Sequence, residues 1–178
     1  MIATILFLWP NLGTAKPTNT PCPVDRVIYH LEGATQFTMG FVKTREPSSF
    51  SDLVLFLRTP RHTYWFSPAV PNGAGNIYLQ PDVDPRLSEK AAERAADRAR
   101  AADIGGSDRE IIGLYMFKGN LSSLNFVPSS RDPAPAYLFA PELIPALWYD
   151  QTYLAYGDPR APREVMPLGL FKATGCQR

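Results

Sequence analysis

The sequence predicts an α+β domain: an antiparallel sheet of roughly six strands, one long helix (about 85–103) packed on it, and an irregular, aromatic and proline-rich C-terminal segment. Three observations support this fold class. Residues 53–57 are apolar without interruption, as in a strand covered on both faces. Residues 84–104 carry apolar side chains at helical spacing. Eighteen prolines are about twice the usual share of roughly 5%, which favours short strands and stiff loops over a helical bundle.

The composition is that of a folded domain with no strong charge bias. Of the 178 residues, 45% are hydrophobic and 20% are charged, so the chain can bury a sizeable core as one domain. Eighteen Lys and Arg side chains against seventeen Asp and Glu leave a net charge of +1. No global field would attract nucleic acid or an anionic membrane, and nucleic acid is therefore not expected as a partner.

The N-terminus has the features of a secretory signal. Ile2–Trp9 is an apolar run, and small residues lead to a cleavage position after Ala15, although no Lys or Arg precedes the run. The alternative is a buried N-terminal strand, which would fit a cytoplasmic protein. The signal hypothesis predicts a periplasmic or secreted protein that does not span the membrane after signal removal. It divides the chain into a signal peptide at 1–15, a proline-rich extended arm at 16–23 and a single domain at 24–178.

Cys22 and Cys176 are the two cysteines of the chain, and they stand near its opposite ends. In an exported protein an even pair of cysteines usually closes a disulfide. We therefore predict a Cys22–Cys176 bond that ties the two termini of the domain together. Two free thiols are the alternative, and the spacing supports neither a metal site nor a thiol nucleophile.

The first predicted pair of strands covers residues 24–32 and 36–43. In the first strand Val27, Tyr29 and Leu31 share one face, and in the second the apolar side chains again fall at every other position. The short gap between the two segments predicts an antiparallel hairpin.

The second predicted hairpin is the centre of the sheet. Its strands cover 53–57 and 63–66, and Pro60 interrupts them because proline has no N–H to donate to a ladder. A turn-rich loop follows at 68–76, and residues 76–80 form a short fifth strand.

The long helix is predicted to begin with Asp84 as its N-cap and Pro85 as its first residue, and to end at Gly105-Gly106. Alanines at helical spacing line one face, and alternating acidic and basic rows line the other. We interpret the helix as a solvated lid that lies on the sheet, rather than as a charged docking ridge.

The remainder of the chain is harder to assign. Residues 110–118 and 121–127 are predicted as paired strands. The aromatic segment 137–156 has a short helix that starts near Pro141, and a final strand at 164–172 returns Cys176 towards Cys22.

Two kinds of candidate site follow. His30 and Glu32 share a strand face, and such a pair can relay a proton, although an exposed polar row is the usual outcome. Clustered aromatic side chains between prolines can form a stacking platform for a glycan or peptide, or can simply fill the core. The aromatic candidates for binding are Trp65, Tyr78, Trp148, Tyr149 and Tyr153. No spacing resembles a metal or cofactor motif, and neither is expected.

These observations favour a non-enzymatic function. The leading hypothesis is an exported binding or accessory domain, closed by one disulfide, whose partner is a cell-envelope protein or a glycan. One alternative is a small hydrolase that uses His30 and Glu32. A second alternative is a cytoplasmic structural protein with free thiols.

Overall fold

The computed structural model describes residues 22–45, 47–48, 50–70, 76–102 and 111–177. They form nine strands: β1 (Val27–Leu31), β2 (Ala34–Lys43), β3 (Leu53–Arg58), β4 (Thr63–Ala69), β5 (Ile77–Asp82), β6 (Ile112–Phe117), β7 (Ser123–Leu124), β8 (Tyr137–Phe139) and β9 (Phe171–Cys176). The helices are α1 (Glu89–Ala101), α2 (Leu143–Tyr149) and α3 (Gln151–Leu154), and a 3-10 turn at Val24–Arg26 precedes β1. The predicted signal peptide and most of the predicted arm lie outside the described residues, and the predicted domain division stays a prediction.

Eight of the strands close into an antiparallel barrel. Strands β1 to β5 pair in chain order, β5 then pairs with β6, and β8 links β6 to β9. The barrel closes where Leu31 of β1 lies opposite Phe171 of β9. The short β7 continues the edge of β6 beyond β5, with Leu124 opposite Met116. The predicted α+β fold with a six-stranded sheet is therefore wrong. The barrel is closed by the pairings of β5 with β6 and of β1 with β9, and pairings between such distant segments leave no local pattern in the sequence.

The barrel interior is filled by side chains. The predicted alternation is confirmed in β1 and β2, where the inward residues are at most 3% exposed. The largest side chains of this interior include Tyr29, Met39, Phe41, Leu55, Leu57, Tyr64, Phe66, Leu79 and Phe171. The hydroxyl of Tyr29 is the only polar atom of this side chain, and it donates a hydrogen bond to the carbonyl oxygen of Pro135 at 3.2 Å. Burial raises the pKa of this hydroxyl.

The outer wall of β3 is also covered, as the uninterrupted apolar run predicts. Val54, Phe56 and Trp65 form a second, small apolar cluster on the outside of the barrel. Phe56 lies directly over Gly40 of β2, where a Cβ atom would stand 2.7 Å from the ring. Glycine at this position therefore lets the phenyl ring approach the backbone of the neighbouring strand closely.

Helix α1 is shorter than predicted and does not pack on a face of the sheet as a lid. It begins at Glu89 with Ser88 as its N-cap residue, because Asp84 instead closes a turn onto Arg86. Its buried side chains are Ala95 and Ala99, and Ala99 lies against Gly157, after α3. The alanine face of α1 thus packs against the segment that contains Gly157, at one end of the barrel. The predicted helix end at Gly105-Gly106 lies outside the described residues.

That end of the barrel also carries α2, α3 and the segment after them. Leu143, Leu147, Leu154 and Met166 from this region are buried in the main core. The C-terminal segment, which the sequence predicts as irregular with one short helix near Pro141, thus holds two short helices, α2 and α3, and closes the barrel end. Among the described residues, no helix combines the length and the apolar character that crossing a bilayer requires.

The predicted disulfide is confirmed. Cys22 and Cys176 are bonded, with their Cα atoms 5.7 Å apart and a sequence separation of 154. Cys176 lies opposite Val27 in the β1–β9 ladder. The bond therefore lies at the seam where the last strand closes the barrel.

Candidate functional site

A groove runs along the outer wall of the barrel beside α1. It consists of two cavities, of about 160 and 370 Å³, that share Asp82, Val83, Asp84 and Leu87. The first cavity is also lined by His62, Tyr64, Trp65, Arg98, Tyr156 and Asp158. The second is also lined by Thr44, Arg45, Val54, Pro85, Glu89 and Ala92. We call the two cavities, with the 82–87 segment between them, the helix-side groove.

The 82–87 segment of the groove begins at Asp82, which is the last residue of β5. Asp82 lies opposite Trp65 in the β4–β5 ladder, so both side chains point to the outer face. The Asp82 carboxylate accepts hydrogen bonds from the Ser67 hydroxyl and from the backbone N–H of Val83. This carboxylate is therefore held in one orientation on the groove wall.

Asp84 binds Arg86 through a fork of hydrogen bonds. The Arg86 backbone N–H and side-chain Nε donate to Asp84 Oδ1 at 2.9 and 2.8 Å, and Arg86 Nη2 donates to Asp84 Oδ2 at 2.7 Å. The guanidinium carbon also lies 4.9 Å from the centroid of the Trp65 ring. One guanidinium thus makes a bidentate ion pair and a cation–π contact at the same place.

The same arrangement occurs a second time across the first cavity. Arg160 donates to Asp158 through its backbone N–H, Nε and Nη2, at 3.0, 3.1 and 3.3 Å. Both pairs belong to an Asp-Pro-Arg tripeptide, at 84–86 and 158–160.

In each pair, the hydrogen bonds from arginine hold the pKa of the aspartate below its usual range, so both carboxylates are ionised at neutral pH. This repeated tripeptide was the sequence feature that could have indicated the site.

The wall that carries Asp158 is anchored to the β3–β4 turn. The Glu164 carboxylate is 4% exposed, accepts a hydrogen bond from the Thr59 hydroxyl and lies 3.6 Å from Arg61 Nε. The Tyr64 hydroxyl donates to the carbonyl oxygen of Pro162 at 3.2 Å. These contacts join the C-terminal segment to the barrel and give the first cavity a fixed wall.

His62 contributes an imidazole to this wall. Its ring centroid lies 4.7 Å from that of Tyr64, and the side chain is half-buried. Burial lowers the pKa of His62, and the nearby Asp158 and Glu164 carboxylates oppose this effect only in part, while Arg160 adds to it. The imidazole is therefore mostly neutral at pH 7, and can donate or accept a hydrogen bond.

We expect the lowered pKa of His62 to appear in both titration and stability. In the folded protein the His62 ring should titrate below its ordinary value of 6.5, as measured by NMR. Because the unfolded chain then binds the proton more readily, the free energy of unfolding should fall as the pH drops below about 6.5, until the folded-state pKa is passed. His62→Gln should remove this part of the pH dependence. A His62 ring that titrates above 6.5 would contradict the prediction.

The structure places His30 and Glu32 away from this groove. His30 Nδ1 lies 3.0 Å from the carbonyl oxygen of Thr35, and Glu32 Oε1 lies 3.9 Å from Lys172 Nζ. Neither side chain lines the helix-side groove. The hydrolase hypothesis built on this pair stays an untested prediction.

The five aromatic candidates are dispersed over the barrel. Trp65 lines the groove, whereas Tyr78 contacts Gln80 Nε2 through its hydroxyl at 3.4 Å. Trp148 and Tyr149 lie on α2 and are 41% and 76% exposed, and Tyr153 of α3 packs against the main core. Of the aromatic stretch at 137–156, Tyr156 lines the first cavity together with Trp65, whereas Trp148, Tyr149 and Tyr153 line neither cavity.

Within the described residues, no group of three or more His, Cys, Asp or Glu side chains could hold a metal ion. No family model, no curated protein and no solved structure matches this chain.

Proposed function

We propose that the protein is an exported, non-enzymatic binding domain that takes its ligand in the helix-side groove. The observation that carries this proposal is the pair of adjoining cavities around residues 82–87. An eight-stranded barrel can hold a ligand inside, but here large side chains fill the interior. The groove on the outer wall is therefore the better ligand site.

The chemistry of the groove supports binding. Ligand sites combine apolar and aromatic walls with a few fixed polar groups. Here Trp65, Tyr156 and Leu87 supply the apolar area, while Asp82 and Asp84 supply oriented carboxylates. These carboxylates are already held by hydrogen bonds, so little conformational freedom is lost when a ligand arrives.

The disulfide supports the proposed location outside the cytoplasm. Such bonds persist in oxidising compartments and are rare in the cytosol. A cell-envelope protein or a glycan is the partner expected there. The test is the unreduced intact mass of the protein purified from its own host. We expect a chain that begins at Lys16, lacks two hydrogens and takes up no alkylating reagent. A full-length chain that takes up two alkyl groups would contradict export.

The groove itself can be tested by a fragment screen read by NMR. The fragments should include cationic, anionic, sugar-like and neutral aromatic compounds. The indole N–H of Trp65 reports on the groove, and the indole N–H of Trp148, which lines neither cavity, is the internal control. We expect hits that shift the Trp65 signal and leave the Trp148 signal in place. A screen in which no compound shifts Trp65 selectively would contradict the proposed site.

A further inference from the structure

We propose that the helix-side groove binds the guanidinium group of a ligand, and that Arg86 occupies this guanidinium position in the free protein. The inference rests on the proposed function and names the ligand class for the same groove. The position lies between the ring face of Trp65 and the carboxylate of Asp84. The expected ligand is an arginine side chain of a peptide or protein partner.

The geometry around Arg86 is that of guanidinium recognition. Planar guanidinium groups are recognised by bidentate hydrogen bonds to carboxylates and by stacking on aromatic faces. Arg86 makes both contacts, with hydrogen bonds of 2.7 and 2.8 Å to Asp84 and a distance of 4.9 Å to the Trp65 centroid. An ammonium group has no planar fork and would reproduce only part of this geometry.

The receptor side of the site is more buried than its occupant. The Arg86 side chain is 70% exposed, whereas Asp84 is 24% exposed and Trp65 is 8% exposed. Exposed ion pairs contribute little net free energy, so Arg86 can swing into solvent at a small cost. A guanidinium from a ligand would then meet the carboxylate and the ring in their present positions.

The adjoining cavity has the charge that a cationic ligand requires. Among the described residues, its lining includes the carboxylates of Asp82, Asp84 and Glu89 and one basic side chain, that of Arg45. This cavity of about 370 Å³ shares the Asp84 side of the guanidinium position, because Asp84 is one of its lining residues. It can therefore receive the atoms that join a ligand guanidinium to the rest of the molecule.

Arg160 gives an internal comparison. It forms the same fork on Asp158 within the same tripeptide and is 88% exposed. Within the described part of the chain, no Phe, Tyr or Trp ring makes a cation–π contact with its guanidinium, in contrast to the contact between Arg86 and Trp65. Removal of Arg160 should therefore leave guanidinium binding at Trp65 unchanged.

The experiment compares two probes on four proteins. The probes are N-acetyl-arginine amide and its neutral isostere N-acetyl-citrulline amide, and the readout is the indole N–H of Trp65, with Trp148 as control. We expect Arg86→Ala to bind the arginine probe at least tenfold more tightly than the unsubstituted protein. Arg160→Ala should bind it like the unsubstituted protein. The double variant Arg86→Ala, Asp84→Asn should bind the arginine probe no more tightly than the unsubstituted protein, because Asn can keep the turn but lacks the negative charge.

Several outcomes would overturn the inference. Equal binding of the citrulline probe to Arg86→Ala would show a groove that takes neutral ligands, which contradicts the guanidinium site but leaves the proposed function standing. Equal affinity of Arg86→Ala and the unsubstituted protein would contradict the role of Arg86. If Arg86→Ala is unstable, Arg86→Gln provides the same comparison with most of the side chain retained. Failure of the fragment screen as well would contradict the proposed function itself.

Discussion

Loss of the Cys22–Cys176 disulfide should lower the free energy of unfolding by about 3–5 kcal/mol. The bond closes a loop with a sequence separation of 154, so it strongly restricts the unfolded chain. In the chain-entropy account a loop of this length corresponds to about 5 kcal/mol as an upper figure. The bond also lies beside the β1–β9 seam, where its loss frees the end of the last strand.

Chemical denaturation of the protein with and without reductant measures this effect. The Cys22→Ser, Cys176→Ser double variant is the control, because its stability should equal that of the reduced protein and should not respond to reductant. If reduction lowers the free energy of unfolding by less than about 1 kcal/mol, the prediction is contradicted, and the β1–β9 pairing is held by its ladder hydrogen bonds and core contacts alone.

Gly157→Ala should destabilise the protein by about 2–4 kcal/mol. Gly157 has a φ of +80°, which costs an alanine roughly 1 kcal/mol or more. A Cβ atom here would also stand 2.8 Å from the backbone nitrogen of Ala99 and 2.9 Å from its Cα. Because these are backbone atoms of α1, the helix itself would have to shift away from the barrel end.

Gly33→Ala is a matched control for this substitution. Gly33 has a φ of +79° in the β1–β2 turn, but an added Cβ would meet no atom within 4 Å. Gly33→Ala should therefore lower the free energy of unfolding only by the cost of the left-handed backbone conformation, about 1 kcal/mol. Thermal or denaturant unfolding of the two variants separates the backbone cost from the packing cost. Equal losses for both variants would contradict the close contact between α1 and Gly157.

The local patterns of the sequence predicted most of the strands. Alternating side chains in 24–32 and 36–43, and the unbroken run at 53–57, correspond to β1, β2 and β3. These predictions succeeded because the side-chain period of a strand is set within a few residues of chain. The prediction of the disulfide succeeded because the chain holds only two cysteines.

The long helix shows where local patterns fail. Asp84 and Pro85 have the residue types that begin a helix, yet α1 begins at Glu89. Asp84 satisfies its hydrogen bonds with Arg86 instead, and Pro85 fits the resulting turn equally well. The same residue types favour an N-cap and an Asx turn, so composition at these positions does not distinguish the two.

The candidate site was predictable only in part. Trp65 was among the predicted binding residues and does line the groove, but His30, Glu32 and the aromatic side chains of α2 do not. Asp84 and Asp158 were not predicted as partners across a cavity, since 74 positions separate them in the sequence. The repeated Asp-Pro-Arg tripeptide is a sequence feature that could have linked them, but it was not used in the prediction.

The sequence by itself determined the strand-rich character of the chain, the inward faces of its first strands and the pairing of its two cysteines. The tertiary structure alone decided that β5 meets β6 and that β9 meets β1, which turns a sheet into a closed barrel. It also decided that α1 lies beside the wall of that barrel and lines one side of the groove. The physical reason is that side-chain periodicity and capping are local, whereas barrel closure and helix docking depend on which distant surfaces bury each other.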